Sequence, residues 1–162
     1  MTAPTKLAPA AASAGRMCPV DYFYAPAVFD RPPEITADIL YVVGGLYGNS
    51  FALEAIERLA EREPAPVTIV FNGDFHWFDA EPAWFDEVER GAQRHVAIRG
   101  NVETEIARQG DVGAGCGCAY PESVSDEFVS RSNDILGDLR LAASDAARTR
   151  LAGLPMHLVA QV

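Results

Sequence analysis

The chain has 162 residues, 49% of them apolar, with 23 acidic side chains against 13 basic ones and a formal charge of -10. That suffices for one domain with a sizeable core. The charge argues against a nucleic-acid surface, because phosphate binding would work against the protein's own field, and no apolar run approaches the length of a membrane span.

Residues 1–16 are rich in Ala, Pro and Thr and lack the apolar stretch of a signal peptide, so a disordered leader is expected there, with the domain proper over 17–162. The stretch 17–29, with Tyr22, Phe23, Tyr24 and Phe29, is too apolar for a linker and is expected to cover the sheet or the mouth of a site. Residues 39–43 (Ile-Leu-Tyr-Val-Val) and 67–71 (Val-Thr-Ile-Val-Phe) are short β-branched and aromatic runs, which predicts parallel strands buried on both faces. Between them, 50–62 carries Ala52, Ala55, Ile56, Leu59 and Ala60 on one helical stripe, with Asn49 or Ser50 as cap and Pro64 and Pro66 as the stop. Pro82 opens a second helix with Phe85, Val88 and Ala92 inward, and a third strand follows over 96–99. A glycine-rich loop over 111–120 is expected to hug the surface near the strand ends. The spacing then predicts one long helix over 123–147, entered by a Ser123–Asp126 capping box and with room for a bend at Gly137, and a fresh strand over 156–162.

Each strand ends in a glycine-bearing loop: Gly45-Leu46-Tyr47-Gly48-Asn49, Asn72-Gly73-Asp74-Phe75-His76, and Gly100-Asn101-Val102-Glu103. In a parallel α/β sheet such loops gather at the carboxyl edge, where chemistry is concentrated. Asp74, held on a short stiff support after a strand and a glycine, suits a metal-bridging ligand, or else caps a turn. Asn101 repeats the arrangement with a neutral oxygen. His76 reads as a ligand or general base at the same edge, or as a structural histidine, whereas His95 falls at the opposite edge. Gly44-Gly45-x-x-Gly48 lacks the spacing of a dinucleotide fingerprint. Cys116-Gly117-Cys118 is short of the usual zinc spacing, and three cysteines suit a reducing compartment, so a cytoplasmic location is expected.

The motifs Gly45-Leu46-Tyr47-Gly48-Asn49, Gly73-Asp74 and Gly100-Asn101-Val102-Glu103 resemble the D-x-H-G-N, G-D and G-N-H-D/E series of the calcineurin-like metallophosphoesterases. The resemblance implies an α/β sandwich of which this chain holds mainly the first sheet with its flanking helices, a truncated form of that fold. It also implies a divalent-metal phosphoester hydrolase using Mn, Fe or Zn, with Asp74 bridging two ions and Asn101 ligating one. His76 and Asp79 would compensate for lost ligands, with His76 as the catalytic histidine, and Glu103 is a further metal-capable group. The substrate would be a phosphoester small molecule or a phosphoprotein.

Three departures are visible: Gly45 and Tyr47 replace an aspartate and a histidine, and Val102 replaces a histidine. Three functions therefore compete. One is a weak or inactive phosphoesterase, another a non-catalytic relative that binds a nucleotide or partner protein. The last is an inactive truncated domain, whose open sheet edge would favour a homodimer.

Overall fold

The computed structural model describes residues 14–110 and 112–162. Short 3-10 turns at Val20–Tyr22 and Pro26–Phe29 lead into β1 (Ile35–Thr36) and β2 (Ile39–Val43). Then follow α1 (Ser50–Ala60), β3 (Val67–Asn72), α2 (Pro82–Ala92), β4 (Val96–Ile98), α3 (Asn101–Ala107), α4 (Asp126–Ala142), α5 (Asp145–Gly153) and β5 (Ala160–Gln161). The described residues thus form an α/β fold with a parallel sheet in the order β2-β3-β4 and a two-stranded parallel pair, β1-β5.

The sheet has two unlike faces, as the two-residue period of a strand dictates. Tyr41, Val43, Ile69, Phe71 and Ala97 turn to a core shared with the helices, where Phe75, Phe85, Val88, Ile106, Leu136, Leu139 and Leu151 are buried. Leu40, Val42, Val70, Asn72 and Ile98 turn the other way and line a groove of about 270 Å³ with Tyr24, Phe29, Met156 and His157. Val42 is 61% exposed there. The expectation of strands covered on both faces therefore fails for β2. The aromatic segment covers the groove only in part, with Tyr24 stacked on His157 at 4.9 Å and Phe29 edge-on at 5.4 Å.

Local chemistry explains most boundaries. Asn49 caps α1 by accepting the Ala52 N–H at 3.0 Å, and Pro82 occupies the first turn of α2. In α1 the buried residues are Ser50 and Leu53, while Leu59, placed on the inward stripe by its spacing, is 52% exposed. The long helix expected over 123–147 is broken. Ser125, not Ser123, caps α4 through the Phe128 N–H, and Ala143 turns extended before Ser144 caps α5 through the Ala147 N–H. Gly137 lies inside α4, and the break comes later. The final strand is confined to Ala160–Gln161, paired with β1.

The leader reading lies outside the described residues up to position 13, but Ala14–Arg16 belong to the fold. Gly15 exchanges backbone hydrogen bonds with Ala114 and Tyr120, and Arg16 donates to the carbonyls of Pro121 and Val124. No helix among the described residues is long and apolar enough to cross a membrane.

Candidate functional site

The loops after β2, β3 and β4 meet at one edge, and backbone bonds fix them to one another. Tyr47 N–H donates to the Asp74 carbonyl at 3.2 Å, Gly48 N–H to the Phe75 carbonyl at 2.8 Å, and Phe78 N–H to the Tyr47 carbonyl at 3.3 Å. Tyr47 and Asp74 sit in the left-handed region at φ 53° and 54°. At Gly73, φ is 78° and a Cβ would come within 2.6 Å of the Gly100 nitrogen, so only glycine lets these two loops touch.

Glu103 is the tie between the second and third loops. One of its oxygens accepts the N–H groups of Asp74 at 2.8 Å and Gly100 at 2.9 Å, and the other accepts the His76 N–H at 3.2 Å. It is fully buried, which pushes its carboxyl upward against the pull of His76 and these N–H groups. The third motif is not a free loop. It forms the first turn of α3, a helix absent from the sequence reading.

His76 and Asp79 are both fully buried. His76 Nδ1 lies 2.5 Å from Asp79 Oδ2, and Nε2 lies 3.2 Å from Glu89 Oε2. Glu89 is in turn held by a two-pronged Arg150 guanidinium, with Nη2 at 2.6 Å. The imidazole stacks on Phe85 at 3.9 Å with parallel planes. Burial opposes its charge, but the hydrogen bonds to Asp79 and Glu89 prevail and raise it to about 9. Glu89 is likewise penalised by burial yet held down to about 2 by Arg150 and His76. Carboxylates face both ring nitrogens of His76, which favours the imidazolium and leaves neither nitrogen free for a metal or a substrate proton. Glu89 and Arg150, which complete this network, are 61 residues apart in the chain and carried no motif.

The open part of the site is a cleft of about 420 Å³ lined by Tyr47, Asp74, Trp77, Phe78, Asn101, Val102, Cys118 and Tyr120. The glycine-rich loop does reach this edge, through Cys118 and Tyr120. Asp74 Oδ1 accepts the Val102 N–H at 3.3 Å, and burial raises its carboxyl despite that bond. Asn101 Nδ2 donates to the Cys116 carbonyl at 2.9 Å and approaches Cys118 Sγ at 3.6 Å.

Of the five residues singled out as metal-capable, the structure brings Asp74 and Asn101 to the cleft and seals His76, Asp79 and Glu103 beneath it. Among the described residues no group of three His, Cys, Asp or Glu side chains is arranged to hold an ion. A transition metal takes about four to six donors, so this set does not fit a two-metal centre. The altered first motif is internally matched: the Tyr47 ring lies over Gly45, where a side chain at position 45 would meet it.

Comparison with models of known families, with curated proteins and with solved structures finds no match for this chain.

Proposed function

We propose that this chain is a metallophosphoesterase-like domain that binds a small organic ligand in the cleft at the carboxyl edge of its sheet and does so without metal. One observation carries the reading: the charged groups beneath the cleft are engaged by one another or by backbone N–H groups, and its lining offers Tyr47, Trp77, Phe78 and Tyr120 around Asp74, with no Lys or Arg. Aromatic faces suit a planar ring, and a carboxylate beside them accepts an N–H. A phosphate would meet Asp74 and a net charge of -10 with no compensating cation among the lining residues. A nucleoside, or the base end of a nucleotide whose phosphates point to solvent, fits this chemistry.

The test is thermal stabilisation by a panel of nucleosides and nucleotides in the presence of EDTA. A nucleoside should raise the melting temperature of the native chain and lose its effect in Asp74→Asn. Flat curves across the panel would overturn the small-ligand reading.

The phosphoesterase reading, for a phosphoester small molecule or phosphoprotein substrate, keeps the support that Asp74 and Asn101 do share the cleft. It predicts stoichiometric Mn, Fe or Zn in the purified protein, lost in Asp74→Ala. Because the Tyr47 ring occupies the space above Gly45, Gly45→Asp and Tyr47→His made together should raise metal affinity above that of the native chain, and Gly45→Asp alone should not. An odd number of cysteines, three in all, supports a reducing, cytoplasmic setting. The outer position of β2 in the sheet, with Val42 exposed on it, supports a homodimer, which light scattering would detect.

A further inference from the structure

The cysteine pair at the cleft is unused by the ligand reading and is built more carefully than an incidental pair. Two residues apart, Cys116 and Cys118 have Cα atoms no more than about 7 Å distant, and the left-handed turn between them, at Gly117 with φ 68°, draws them closer. That falls at the span a disulfide accepts.

Cys116 is fully buried and anchored through both backbone groups. Its N–H donates to Asn133 Oδ1 at 3.1 Å, and its carbonyl accepts Asn101 Nδ2 at 2.9 Å and the Cys118 thiol at 3.6 Å. Cys118 is partly exposed and lines the cleft. Position 117 favours glycine, since its φ of 68° is left-handed and a Cβ there would come within 3.0 Å of the Tyr22 hydroxyl. One thiol is thus presented to solvent while the other waits behind it on a fixed backbone.

We propose that Cys116 and Cys118 form a dithiol–disulfide couple in the wall of the cleft, oxidised from the cleft side by low-molecular-weight disulfides. Cys118, the thiol the oxidant can reach, gives up its proton to solvent against the bond to Cys116 and the burial that hold it on, and attacks one sulfur of the oxidant, RSSR. A Cys118–SR bond forms, and RS⁻ leaves and takes up a proton as RSH. Cys116 then loses its own proton and attacks Cys118 Sγ, so that the intramolecular bond forms and the second RSH departs. The dithiol gives up two electrons and RSSR gains them. Oxidation removes the thiol that donates to the Cys116 carbonyl, which changes the cleft wall.

The test does not depend on which ligand the cleft takes. The reduced full chain carrying Cys18→Ser is incubated with oxidised glutathione, quenched in acid, alkylated and mapped by peptide mass. The expected product has lost two hydrogens from the peptide holding Cys116 and Cys118, carries no glutathione, and is restored by dithiothreitol. In Cys116→Ala, glutathione should instead remain on Cys118. Stable glutathione on Cys118 with Cys116 present, or two thiols that stay fully alkylated, would overturn the proposal without any variant at the buried position.

Discussion

Asp74 and His76 stand two residues apart on one loop, yet they belong to opposite kinds of site. His76 lies in a buried network with Asp79, Glu89 and Arg150, both ring nitrogens matched by carboxylates and an aromatic ring stacked on its face. Asp74 looks into an open cleft, accepts one backbone N–H from Val102, and has aromatic rings and an amide for neighbours. The alternation follows from the left-handed φ at Asp74, which reverses the chain so that Phe75 and His76 enter the core. Residues with catalytic chemistry can therefore be recruited to hold a fold together, and their position beside a strand end does not separate the two uses.

The contrast can be broken most severely from the sealed side. Arg150→Met should cost about 3 kcal/mol in denaturant unfolding, because it leaves Glu89 buried without its main cation. Ligand response at the cleft should survive. Glu103→Gln replaces a carboxylate that accepts three N–H groups, and a loss of about 1–3 kcal/mol is expected.

The pH dependence sharpens the comparison. His76 is raised from its ordinary 6.5 to about 9, so its contribution is complete below pH 6.5 and is lost as pH rises through about 9. Glu89 is lowered from 4.5 to about 2, so its contribution is present above 4.5 and is lost as pH falls through about 2. Unfolding free energy measured across this range should fall at both ends, and His76→Gln should remove the alkaline decline.

Much smaller effects are expected at the open site. Asp74→Asn keeps an acceptor for Val102 and tolerates the left-handed backbone, so stability should move by less than about 1 kcal/mol while ligand stabilisation disappears. Phe78→Ala, at a residue 65% exposed, should move stability by no more than about 0.5 kcal/mol and weaken ligand binding alone.

Local signals in the sequence reached β2, β3, β4, α1, α2 and the convergence of three loops, because apolar runs, a proline start and glycine turns are written within a few residues, whereas the two-residue β1 carries no such run. They reached Asp74 and Asn101 for the same reason. What they missed depends on distance or on competition between neighbours. The Arg150–Glu89 bond joins separate helices, and only the folded chain brings it into view. Ser144 followed by Asp145 is a helix-start signal, yet the apolar stripe running through it on both sides masked the break between α4 and α5. Leu53 rather than Leu59 is buried because α1 meets α2 there, where Gly91 leaves room for the Leu53 side chain.

The three N–H groups gathered by Glu103 have a consequence for motion. Asp74, His76 and Gly100 come from the ends of two different strands, yet their amides share one buried acceptor pair. None can be released to solvent singly without stranding the carboxylate among the others. In hydrogen exchange these three amides should therefore open together with the start of α3, as one cooperative unit with a single opening free energy.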